Sequence, residues 1–180
     1  MKKIFLTILA VLLLPLTIVV LILILVTKKA RNNRVRNYLA GISVSDIDAI
    51  TGTQFEEIVA YLFDFFGYKT KLTKRSGDYG VDIFANFRGI EYCIQTKLYY
   101  NHSVGSSAIQ EINTAKNYYS CDYALVVTNS KYSKQAIDMA NRLKVVLLDR
   151  SDLSKMLSNY RSNNKKFLRK YLEGRLCLRK

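Results

Sequence analysis

Residues 76–97 read SGDYGVDIFANFRGIEYCIQTK. An alternating apolar run, 81–87, meets Arg88-Gly89, a turn signal, and a second run starts at Ile90. Side chains on a strand alternate faces with period two. Glu91, Cys93, Gln95 and Lys97 therefore share one face of the second run. Ile90, Tyr92, Ile94 and Leu98 share the other, which reads as core. A two-residue loop at Arg88-Gly89 pairs Phe87 with Ile90, and stepping back sets Asp82 opposite Gln95. Asp82, Gln95 and Lys97 then converge. A three-residue loop without a bulge would pair Asp82 with Ile94 and separate them, because a one-residue slip flips the face. The candidate site therefore rests on this register.

Upstream of the hairpin, Phe55, Ile58, Val59, Leu62, Phe63 and Phe66 recur at helical spacing. Thr53 with Glu56 three residues on fits a capping box, and Gly67 is a helix stop. Residues 68–73, YKTKLT, alternate as a strand. Downstream, 106–120 reads as a helix, 122–129 as a strand rich in β-branched residues, 133–144 as an amphipathic helix capped by Ser133, and 145–149 as a buried strand. A last helix starts near Asp152. The order is helix, three strands, helix, strand, helix, strand, helix. An antiparallel meander joined to two crossover units implies an α/β fold, a mixed sheet with helices on both faces.

The chain has 180 residues and a formal charge of +14. Basic residues at 2–36 and in the last twenty positions account for all of that excess, and 37–160 is about neutral. The charge describes the flanks and is weak support for nucleic-acid binding by the middle. Three cysteines, Cys93, Cys121 and Cys177, lie far apart with no CxxC pair, so neither a zinc knuckle nor a disulfide framework is expected. That pattern fits a reducing compartment. His102 is the single histidine, which excludes chemistry needing two; it reads as a polar turn residue.

Residues 4–26, IFLTILAVLLLPLTIVVLILILV, carry no charge. As a helix they would span roughly 34 Å, enough for a bilayer core. No small-x-small cleavage site follows, so an uncleaved anchor is expected rather than a signal peptide. Two lysines precede the run and five basic residues follow it, which places the rest of the chain in the cytoplasm. The expected organisation is a transmembrane helix at 4–26, a basic linker at 27–44, an enzymatic domain at 45–158 and a basic amphipathic tail at 159–180. The implied location is the inner (cytoplasmic) membrane, single-pass. The tail has three candidate roles: lying on anionic lipid, binding DNA phosphates, or capping the domain.

A carboxylate, an amide oxygen and a lysine in one place suit metal-assisted phosphodiester cleavage. Hard oxygens hold Mg²⁺, with Mn²⁺ as a substitute, and the metal acidifies a bound water. Asp82 would be the anionic ligand, Gln95 a neutral one, and the carbonyl of Thr96 a third. Lys97 would orient the water and stabilise developing charge. No small-molecule cofactor is implied.

The segment GDYGVD (77–82), followed after twelve residues by QTK (95–97), resembles the catalytic signature of the Mrr-type restriction endonucleases, within the PD-(D/E)xK nuclease superfamily. Residues 55–82 resemble that family's opening helix and first strands, and 104–149 the part beyond its site. The resemblance covers roughly 53–155 and implies a restriction-endonuclease-like mixed sheet. It implies Asp82 as the metal-binding acid, Gln95 as second ligand and Lys97 as catalytic lysine. Glu56 matches an acidic position that can point at the metal; its competing role is the capping box. Asp78 matches the family's first Asp, and its flanking glycines suit a tight turn. The Mrr type often has Gln where most of the superfamily has Glu. Gln95 removes one negative charge, weakens metal binding and shifts the burden to Asp82 and Glu56.

Lys69, Lys71, Lys74 and Arg75 precede the site and are placed to touch DNA phosphates. Gln110 either faces the site from the next helix or is a solvated helical residue. The expected function is a membrane-anchored, metal-dependent DNA endonuclease in restriction of foreign DNA, as a homodimer if both strands are cut. The alternative is a non-cleaving nucleic-acid-binding module that tethers DNA to the membrane.

Overall fold

A computed structural model of the chain describes residues 2–43, 45–73 and 79–177. It divides into two units, Met1–Tyr38 and Leu39–Lys180. Lys74, Arg75 and Asp78, singled out from the sequence, lie outside the described residues.

The N-terminal apolar run is carried by α1 (Lys2–Gly41), which contains Pro15. Among the described residues no helix is long and apolar enough to cross a membrane. This overturns the expected transmembrane helix at 4–26 and, with it, the single-pass inner-membrane location.

In the second unit, the Arg88-Gly89 turn closes with both residues at positive φ, 55° and 85°. That backbone twist matches two antiparallel strands, and glycine accepts it without a steric cost. Strands β2 (Ile83–Phe87) and β3 (Ile90–Lys97) pair from Phe87↔Ile90 to Ile83↔Ile94. The two-residue register expected from the sequence is the one observed. Strand β1 (Lys69–Leu72) pairs antiparallel with β2. On the other side β3 pairs in parallel with β4 (Tyr123–Thr128), and β4 with β5 (Val146–Leu148). The mixed five-stranded sheet has the order β1-β2-β3-β4-β5. It matches the expected sheet.

Parallel neighbours need crossovers, supplied by α3 (Ser106–Tyr118) and α4 (Lys134–Leu143). These pack on the sheet face that carries Cys93, Ala124, Val126 and Leu147. The opposite face is covered by α2 (Gly52–Phe65) and α5 (Arg150–Arg161). There Phe55, Phe63, Ile83, Ile94, Leu125, Leu148 and Leu153 are fully buried.

Helix α2 starts two residues earlier than its sequence suggests. Thr51 is the N-cap, its hydroxyl accepting from the Gln54 N–H at 3.3 Å while Gln54 Oε1 accepts from the Thr51 N–H at 2.9 Å. Two overlapping T-x-x-Q/E frames compete here, and the earlier one closes. The capping box weighed for Thr53 and Glu56 is instead made by Thr51 and Gln54. Ser133 caps α4 as expected, accepting from the Ala136 N–H at 3.1 Å.

Cys93 on β3 and Cys121, just before β4, form a disulfide. The expectation of no disulfide is corrected, and the inference to a reducing compartment loses that basis. The two cysteines are 28 residues apart, and only the β3–α3–β4 return brings them together. No local spacing signals such a pair.

The tail folds back as α6 (Phe167–Cys177), with Leu168 and Leu172 buried. Its polar clamp is Asp152, 2% exposed. Arg175 Nη2 donates to Asp152 Oδ2 at 2.8 Å, and Arg175 Nη1 donates to the Leu147 carbonyl at 2.6 Å. Asp152 also closes the α5 capping box with Asp149. These contacts dock the tail on the domain, one of the three roles weighed for it. Asp152→Ala strands Arg175 at a partly buried position and opens the cap; we expect a loss of about 3 kcal/mol, read as a lower denaturant midpoint at unchanged slope.

Arg150 bridges Asp48, in the short 3₁₀ turn Ser45–Ala49, at 2.6 Å. The hydrogen bond from Arg150 holds the Asp48 carboxyl below the usual carboxylate range. A lowered folded pKa stabilises above the unfolded value and is lost as pH falls through the folded one. Stability should therefore decline below about pH 4, and Asp48→Asn should flatten that decline in acid titrations followed by circular dichroism.

Candidate active site

Pairing between β2 and β3 stops at Ile83↔Ile94, and the chain before β2 supplies side chains where the ladder would have continued. The Asp82 N–H still donates to the Ile94 carbonyl at 2.9 Å. Beyond it, Asp82 Oδ2 accepts from the Thr96 N–H at 2.6 Å and from the Thr96 hydroxyl at 3.0 Å. The carboxylate thus stands in for a strand partner. In an extended strand the N–H and C=O of one residue point to the same side, so the Thr96 carbonyl also faces the Asp82 side of β3.

Gln95 lies on the face covered by α3 and is 2% exposed. Its Nε2 donates to Glu111 Oε2 at 2.8 Å. The same oxygen lies 3.3 Å from Lys97 Nζ. An amide turned the other way would set two acceptors against each other, so Glu111 dictates its orientation. Gln95 Oε1 is consequently left buried with no hydrogen-bond partner among the described residues. An orphaned buried acceptor is costly, and a water or a cation is one way to satisfy it. Gly80 makes the close packing feasible: its φ is +86°, and a Cβ there would lie 3.0 Å from Gln95 Nε2 and 3.5 Å from Glu111 Cβ.

Gln95 and Lys97 are therefore brought together, and Asp82 borders them through Thr96, the residue between. Glu111 was not foreseen. The sequence reading looked to Gln110, which is exposed on α3. Glu111, itself exposed, sits three residues after Ala108 and four before Ala115, so helical periodicity sets it at the border of the buried stripe. Glu56 lies on α2, in the opposite layer, half-buried. Lys69 and Lys71 are exposed on β1. By register Lys71 aligns with Phe84 and Cys93, which puts both lysines on the Gln95 face at the sheet edge.

Among the described residues no group of three or more His, Cys, Asp or Glu side chains could hold a metal. A cation here would depend on mixed donors: the Asp82 carboxylate, Gln95 Oε1 and the Thr96 carbonyl. These are hard oxygens, suited to Mg²⁺ or Mn²⁺, and the unpartnered amide oxygen fits such an ion.

Residues 47–157 match the family described as restriction endonuclease, Mrr catalytic domain. The chain belongs to this family. The fold agrees with that of the DNA modification-dependent restriction endonuclease AspBHI, at a TM-score of 0.54 and 15% identity over 82% of this chain and 40% of that one. A weaker likeness, TM-score 0.40 and 18% identity over 72% of this chain and 30% of the other, is to the MspJI restriction endonuclease in complex with a 27-mer oligonucleotide. The chain spans less than two thirds of the length of each of these structures. No curated protein sequence matches it.

Gly80→Ala adds a methyl group against Gln95 at a backbone angle that disfavours it. We expect a loss of about 1–2 kcal/mol in chemical denaturation, with a larger proportional loss of any nuclease activity than of stability, since the displaced group is Gln95.

Proposed function

We propose that the chain is a metal-dependent DNA endonuclease that hydrolyses phosphodiester bonds, acting in restriction of foreign DNA. The observation that carries the reading is the buried, unpartnered Gln95 Oε1 beside the Asp82–Thr96 contact. Family membership supports the same class of chemistry.

Asp82, Gln95 and the Thr96 carbonyl would hold Mg²⁺, or Mn²⁺ in its place. When bound, the ion would offset phosphate charge and acidify a coordinated water. Lys97 positions the attacking water and offers a cation to the charge that develops on the phosphoryl oxygens. Glu111 holds Lys97 Nζ in place and keeps the Gln95 amide oriented. Glu56 is a supporting acid from α2. Lys69 and Lys71 contact backbone phosphates on the edge strand, with Lys74 and Arg75 continuing that basic run, and Gln110 adds a polar contact from α3. Such contacts set position rather than sequence preference. Cutting both strands of a duplex takes two such sites, hence a homodimer.

The test is nicking of supercoiled plasmid by the full chain with Mg²⁺ or Mn²⁺, against a chelator control. Asp82→Ala and Lys97→Ala should each lower the rate by about 10²-fold or more, with folding checked by circular dichroism. Cutting that survives both substitutions would rule out this site.

A further inference from the structure

Beyond the carboxyl ends of β3 and β4 lies a cleft of about 530 Å³, within the range of small-ligand sites. Its floor is fully tied. Asn129, 2% exposed, accepts from the Tyr99 N–H at 2.8 Å and donates to Asp48 at 2.8 Å and to the Tyr99 carbonyl at 3.0 Å. Asp48 is matched by Arg150, so that pair brings no net charge. Ser130 spends its hydroxyl on the His102 carbonyl.

The rim is the opposite. The Lys131 ammonium and the His102 ring have no hydrogen bond or ion pair among the described residues, and both residues are exposed. Tyr99 and Tyr100 are 38% and 55% exposed, and neither ring has an aromatic partner among the described residues. The Tyr100 hydroxyl donates to the Ile50 carbonyl at 2.8 Å, which fixes that ring as a wall. The aromatic groove at the other end of the sheet differs: Tyr68, Phe87, Tyr92 and Tyr123 there already pack on one another.

A free lysine and a polar ring beside two unoccupied aromatic faces select a ligand that is anionic and flat. Tyr99 follows Lys97 by two residues, about 7 Å along an extended chain, a step comparable to that between successive phosphates of one strand. We propose that this cleft binds the nucleotide next to the scissile phosphate, its base against Tyr99 or Tyr100 and its phosphate on Lys131 and His102. The proposal deepens the nuclease reading and rests on it. A base stacked on protein has left the duplex, so the cleft favours a single-stranded or everted nucleotide over a paired one.

The test is equilibrium binding of thymidine 5′-monophosphate to the full chain in chelator, compared with inorganic phosphate and with thymidine. The nucleotide should bind more tightly than either fragment. Tyr99→Ala and Lys131→Ala should each weaken it by about tenfold. Tyr99→Phe should retain it, and Lys97→Ala should leave it unchanged. The proposal is overturned if no nucleotide binds, or if phosphate alone binds as tightly. Binding lost in Lys97→Ala and indifferent to Tyr99 and Lys131 would also overturn it. Because no cutting is required, failure here is separate from failure of the nuclease reading, which plasmid nicking decides.

Discussion

The turn at Arg88-Gly89 governs the rest of the second unit. With two residues at positive φ it admits one register, and that register ends β2 at Ile83 opposite Ile94. Asp82 thereby falls one residue past the last paired position, where its side chain can reach Thr96. Its carboxylate takes that role. One more loop residue would move Asp82 to the other face and leave the Thr96 N–H without this acceptor. The same pairing places Gln95 under α3, where its amide becomes buried.

The second determinant comes from outside the hairpin. Glu111 reaches down from α3 and holds both Gln95 and Lys97 through one oxygen. Half-exposed, its bond to Lys97 contributes little stability. Its value is directional: it decides which end of a buried amide faces the gap. The parallel half of the sheet makes this geometry possible, because the β3–α3–β4 return lays α3 across the strand that carries the site. The Cys93–Cys121 disulfide ties the same strand to the end of that return.

Peripheral elements follow a different logic. Helix α6 is rich in cations, yet its docking rests on Leu168, Leu172 and one buried carboxylate, Asp152. Overall basicity therefore says little about what the tail touches. The apolar N-terminal run shows the converse: hydropathy alone suggested a span, while the described helix gives none.

Local pattern determined much of this protein. Period-two alternation, the Arg88-Gly89 turn and the apolar stripes set the strands, their register and the helix order, because each depends on neighbours within a few residues. The convergence of Gln95 with Lys97, and the place of Asp82 beside them, followed from that register. Tertiary structure alone decided the rest. The α2 cap fell on Thr51 rather than Thr53. Glu111, the disulfide and the clamp on Asp152 each join groups 14 to 28 residues apart. Such contacts are made when layers pack, and sequence spacing does not encode the distance between layers.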